Sequence, residues 1–169
     1  MDVKTLKGIA LLLKRRGAGM HSARKHQACT VRLTLAAALA VSSVPALAAP
    51  TDITVYESPS CGCCASWVTY LKSQGFKVSI NMMRDVTPVK DKRGVPADLR
   101  SCHTAEIGGY VIEGHVPAQS IKRLLRERPK ANGIAAPGMP QSAPGMDGAY
   151  QPYSVILFGG GMQKVYERL

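Results

Sequence analysis

The apolar positions along this chain switch between a period of two and a helical period, and the switches mark its elements. Ile53 to Tyr56 is a short apolar run that reads as a buried strand. Ser58-Pro59-Ser60 is a turn with Ser60 placed to cap a helix, which opens at Cys61 or Gly62 and runs to about Gln74. Trp67, Val68 and Leu71 give that helix one apolar side, and Gly75 suits its C-terminal end. Phe76, Val78 and Ile80 alternate with polar residues, so a second strand comes next, and the strand–helix–strand order predicts a parallel pair joined by a right-handed crossover.

Residues 84–101 are charged and interrupted by Pro88, Gly94 and Pro96, which predicts a loop with a short helix over Ala97 to Ser101. Ile107 to Val116 reads as a hairpin turning at Glu113-Gly114. Pro117 suits the first turn of a helix whose apolar face is Ala118, Ile121, Leu124 and Leu125, and Pro129 ends it. Residues 133–152 are rich in Gly, Pro and Met and are expected to lack regular structure. Val155 to Phe158 and Val165-Tyr166 form a last hairpin around Gly159-Gly160-Gly161. The sum is an α/β fold, a mixed sheet flanked by helices in a single small domain, with no internal repeat.

The first 48 residues break this pattern. Arg24, Lys25 and Arg32 precede an apolar run from Leu33 to Val41, and small residues come after it, ending in Ala46-Leu47-Ala48. That is the order of a secretory signal peptide, with cleavage expected between Ala48 and Ala49. The apolar run is too short to span a membrane, so no stable membrane insertion is expected once the leader is removed; the alternative is a retained anchor. Met20 begins a leader of more ordinary length than Met1, which points to residues 1–19 as the product of an upstream start. A native precursor whose N-terminal sequence begins at Met1 would reject that reading. The domain proper is then 49–169, exported to the periplasm.

Charge changes meaning once the leader is set apart. The 169-residue chain carries +11, but residues 1–48 hold eight of its 22 basic and one of its 11 acidic residues, leaving +4 for the rest. The remaining basic cluster, Lys122, Arg123, Arg126, Arg128 and Lys130, falls on one helix and reads as a solvated face, so no nucleic-acid partner is expected. No phosphate-cradling loop, Ser/His/Asp set or paired carboxylates stand out.

The chemistry lies in Cys61-Gly62-Cys63-Cys64. Cys61 and Cys64 alone make a CxxC, which serves as a redox dithiol or as half a metal site. A dithiol enzyme needs two sulfurs, whereas a soft-metal site uses three or more, so Cys63 favours metal. A helix start presents unpaired N–H groups and partial positive charge, both of which favour the thiolate. Cys29 leaves with the leader, which makes Cys102 the natural fourth sulfur if its loop folds back over the helix start. Thiolates favour Cu(I), with zinc as the rival metal. His103, beside Cys102, can ligate Cu(II), accept the proton a thiol releases, or be an ordinary loop histidine. His115 comes after a turn and gives a weaker signal. Met139 and Met146 recur in Pro-Gly-Met contexts, and a thioether is a soft ligand; the alternative is that they plug the edge of the core, where one of Met82 and Met83 and also Trp67 belong.

Three functions compete on these residues: a copper-binding domain that cycles its metal, a passive metallochaperone, and a thiol–disulfide oxidoreductase in which Cys61 attacks and Cys64 resolves. Against the last, a third thiol at Cys63 can trap mixed disulfides. The metallochaperone differs from the first reading only in whether the bound copper changes oxidation state.

The chain resembles the CopG-like copper-resistance proteins. The resemblance rests on the run from Tyr56 to Cys64, Gly94-Val95-Pro96, Ser101 to Ala105, Gly108 to Ala118, Pro137 to Pro140 and Ser142 to Met146, in family order from about residue 53 to 158. It implies a thioredoxin-like fold that binds copper in the periplasm through Cys61, Cys63, Cys64 and Cys102. It further implies interconversion of Cu(I) and Cu(II). The copper-binding reading itself makes a copper efflux system or a redox protein the expected partner.

Overall fold

The computed structural model describes residues 51–169; the leader and its cleavage site lie outside them. Seven strands and three helices occur in chain order: β1 (Asp52–Glu57), α1 (Gly62–Ser73), β2 (Lys77–Met82), α2 (Thr87–Lys92), a 3-10 turn (Ala97–Leu99), β3 (Thr104–Ile107), β4 (Tyr110–Gly114), α3 (Ala118–Glu127), β5 (Gly133–Ala136), β6 (Ser154–Gly159) and β7 (Met162–Arg168). The strands form one mixed sheet in the order β2-β1-β3-β4-β5-β6-β7. The β1–β2 pair is parallel across α1, as expected, and β4–β5 form a second parallel pair across α3. The antiparallel strand β3 joins the two units.

Alternation along the strands separates two apolar layers. Ile53, Val55, Ile112, Ile134, Val155 and Leu157 meet Trp67, Val68 and Leu71 of α1 and Ile121 and Leu124 of α3. On the opposite face Val111, Ala135 and Phe158 meet Val95 and Leu99 of the segment before β3. Full burial of side chains of this size contributes about 1.5–3 kcal/mol each, so the first layer anchors α1 firmly. No described helix is long and apolar enough to cross a membrane.

Four expectations need correction. The hairpin between β3 and β4 turns at Gly108-Gly109, both at positive φ, and not at Glu113-Gly114, so Glu113 lies inside a strand. Residues 133–152 are not wholly irregular, because Gly133–Ala136 is β5. A Cβ on Gly133 would come within 1.9 Å of the Val111 carbonyl oxygen, so only glycine lets β5 lie so close to β4. Thr87–Lys92 is helical with Pro88 in its first turn, and the helix expected over Ala97 to Ser101 shrinks to the 3-10 turn. Finally, neither Met82 nor Met83 is core: Met82 is 55% exposed on the edge strand, where Ile80 is also 41% exposed, and Met83 is half-buried.

Candidate metal centre

The four cysteines meet because of strand register. β3 runs antiparallel to β1, with Thr104 opposite Tyr56, so the start of β3 lies beside the end of β1. The chain leaves β1 through Ser58-Pro59-Ser60 into α1, while Cys102 sits two residues before β3. The sulfurs of Cys61, Cys63, Cys64 and Cys102 all lie within 4.8 Å of one another. The folding-back that would bring Cys102 to the helix start is therefore present.

Cys61 itself is the N-cap residue of α1, in an extended conformation with no side-chain cap, so Ser60 does not play that part. The Ser60 hydroxyl instead pairs with that of Ser58 at 2.9 Å. With neither a capping side chain nor an acidic residue in the first turn, the positive end of the helix faces the thiols. Cys61 and Cys64 are joined in a disulfide with their Cα atoms 5.3 Å apart. Cys63 and Cys102 are free and half-buried. The Cys63 sulfur is 3.6 Å from that of Cys61.

A second ligand set shares Cys102. Its sulfur is 3.4 Å from His103 Nδ1 and 3.6 Å from His115 Nε2, and the donor atoms of the three residues lie within 4.8 Å of one another. His115 Nδ1 is 2.8 Å from the Pro144 carbonyl oxygen. A carbonyl only accepts, so Nδ1 carries the proton and the Nε2 lone pair turns to Cys102. His103 stacks on Trp67 with ring centroids 4.4 Å apart, and its Nε2 is buried without a partner. Trp67 donates its indole N–H to the Val116 carbonyl at 3.0 Å, so the expected core tryptophan is also the floor of the site.

Burial sets the protonation of this half. It pushes the Cys102 thiol up to about 11, with the neighbouring Cys63 side chain adding to the shift. It pulls His103 down to about 3, with repulsion from His115 and Lys90 contributing. His115 is lowered by burial too, partly offset by its bond to Pro144. The metal-free site thus holds a Cys102 thiol between neutral imidazoles, and a cation that took the thiolate would release a proton.

The methionine loop folds over α1 at only one of its two repeats. A Cβ on Gly145 would come 2.6 Å from the Trp67 backbone nitrogen, so Pro144-Gly145 presses on the helix, with Met146 next in the chain and half-buried. Met139 is exposed and has a left-handed backbone, φ 48°. His115 sits nearer the sulfurs than its place in the sequence suggests. Two residues outside the set expected from sequence, Lys90 and Glu113, form a buried ion pair at 2.6 Å beside the Cys102 loop. A glutamate among the apolar residues of Tyr110 to Val116 was the available clue.

Residues 99–146 match a family described as a protein of unknown function, DUF411. Two solved structures, described as copper resistance protein CopG, forms 2 and 1, are each 40% identical to the chain, with TM-scores of 0.68 and 0.67. Each alignment covers 71% of this chain and 98% of the other. No curated protein sequence matches.

Proposed function

The chain belongs to the CopG-like copper-resistance family, and from that premise we propose that it is an exported copper-binding protein holding Cu(I) on Cys61, Cys63, Cys64 and Cys102. Copper is its cargo. The observation that carries the reading is the convergence of four sulfurs within 4.8 Å at an uncapped helix start, those of Cys61 and Cys64 becoming thiolate ligands once their disulfide is reduced. Soft thiolates select Cu(I), and zinc is the competitor. His103, Met139 and Met146 complete the proposed ligand set, the imidazole suiting Cu(II) and the thioethers Cu(I). The signal-like leader supports a periplasmic site of action. The crossover of β1, α1 and β2, with thiols at its helix start, supports a thioredoxin-like reading of the fold.

The disulfide supports redox cycling of the cargo. Two Cu(II) ions can each take one electron as the Cys61 and Cys64 thiols form their bond and release two protons, which yields two Cu(I). A dithiol protein would return the pair to thiols, and an efflux system would receive the copper. A passive metallochaperone would use the same ligands without the electron step. Anaerobic titration of reduced 49–169 with Cu(I) against a competing chelator tests binding, with loss expected in Cys→Ser variants. Binding no tighter than the chelator would end the copper reading.

The same Cys61–Cys64 bond favours a second reading, a periplasmic thiol–disulfide oxidoreductase. Cys63→Ser separates the two. A disulfide enzyme keeps its turnover, whereas a copper site loses affinity or stoichiometry.

A further inference from the structure

We propose that Glu113, neutralised by Lys90, is a positioning residue that holds Cys102 and His103 on the site. The inference deepens the copper reading and rests on it for its meaning.

Cys102 belongs to no strand, since β3 begins at Thr104. Apart from the backbone bond from the Gly114 N–H to the His103 carbonyl at 3.2 Å, what fixes it is one carboxylate. Glu113 Oε1 accepts the backbone N–H of Ser101 at 2.6 Å, and Oε2 accepts the Thr104 hydroxyl at 2.7 Å. The segment Ser101-Cys102-His103-Thr104 is therefore tied at both ends to a single side chain. Lys90 Nζ closes the network, donating to Glu113 Oε1 at 2.6 Å and to the Thr104 oxygen at 2.8 Å. Gly114 confines the segment further. It has a left-handed backbone, φ 71°, and a Cβ there would sit 2.8 Å from the Ser101 Cβ.

The charges argue for placement rather than bulk stability. Both partners are withdrawn from water, with side-chain exposures of 7% for Lys90 and 0% for Glu113. A buried ion pair is commonly no more stabilising than apolar residues of the same volume, whereas it enforces one geometry when fully hydrogen-bonded. A lone buried carboxylate beside Cys102 would oppose formation of the thiolate that a cation needs, and Lys90 offsets its charge. The short helix α2 is what delivers that ammonium.

The test uses the oxidised domain without metal, in which Cys63 and Cys102 are the free thiols among the described residues. Alkylation by iodoacetamide is monitored residue by residue by mass spectrometry. Lys90→Met/Glu113→Leu removes the acceptor for Ser101, and should speed alkylation of Cys102 at least tenfold while leaving Cys63 unchanged. Lys90→Met/Glu113→Gln keeps an acceptor oxygen, and should return Cys102 to within threefold of the wild-type rate. Equal acceleration at both cysteines, or none at Cys102, overturns the assignment. If the Leu variant does not fold, hydrogen exchange in the wild-type protein decides: the Ser101 amide should be as protected as the β3 amides, and exchange at the rate of an exposed loop overturns it. In a wild-type domain that binds Cu(I), the Leu variant should lose at least tenfold in affinity, and equal affinity overturns it. The alkylation measurement contains no metal, so a domain that binds no copper ends the copper reading and leaves the positioning role standing.

Discussion

Cys61, Cys63 and Cys64 ride together on one helix start, whereas Cys102, His103 and His115 are gathered from the ends of β3 and β4. The first group is half-open, bears a disulfide and faces the positive end of α1. The second is built around two buried imidazoles, with its thiol held protonated by burial. The difference teaches that one site can combine a redox-responsive half, made by local sequence, with a rigid half, made by tertiary register. The two meet at Cys102, and Trp67 is the floor of the second, its ring 4.4 Å from that of His103 and 6.5 Å from that of His115.

The largest effect should come from removing that floor. Trp67→Ala is expected to cost about 3–5 kcal/mol in urea unfolding, because a fully buried indole leaves a cavity beneath the two imidazoles. A loss below about 1 kcal/mol would mean the imidazoles are supported without it. Next, Cys102→Ser should lower Cu(I) affinity by about 100-fold or more in the chelator competition, beyond the range of an outer-shell change. An unchanged titration would show that the α1 thiols act alone.

Acid should sharpen the contrast, since the buried imidazoles lie in one half. His103 is held at about 3 when folded, against an ordinary value of 6.5, so the unfolded chain binds more protons between those values. The imidazole contribution to stability should accordingly be level above about pH 7. It should fall as the pH drops below 6.5, by about 1.4 kcal/mol per pH unit for each imidazole kept neutral only by folding. His103→Leu should flatten that slope in denaturant titrations of the metal-free domain, and an unaltered slope would place its origin elsewhere. Gly133→Ala should cost about 1–3 kcal/mol through the close approach of β5 to β4, measured by the same unfolding. Smallest is Met139→Gly, which relieves a left-handed backbone and should add up to about 1 kcal/mol of stability. A loss instead would indicate contacts of that side chain that outweigh the strain.

The legibility of the chain divides along the same line. The span of α1, the thiols at its start, the amphipathic α3 and the last hairpin are set by neighbours in sequence, and periodicity or spacing reveals them. The strand β5 is only four residues long, three of them glycine or alanine, and its glycine is explained only by Val111, a partner far away in the chain. Thr87–Lys92 has no apolar period to announce it, and its buried residue is Lys90. Glu113 invites a turn because a carboxylate inside a strand is costly, and the ammonium that offsets the cost comes from α2. Likewise His115 gains its meaning from the Pro144 carbonyl, which orients its ring toward Cys102.

Trp67 is the only tryptophan in the chain, and it stacks on His103 out of reach of water. Its fluorescence is therefore a built-in reporter of the centre. Emission should be blue-shifted in the native domain, and it should respond to any ion or proton that reaches the imidazole, with no label attached.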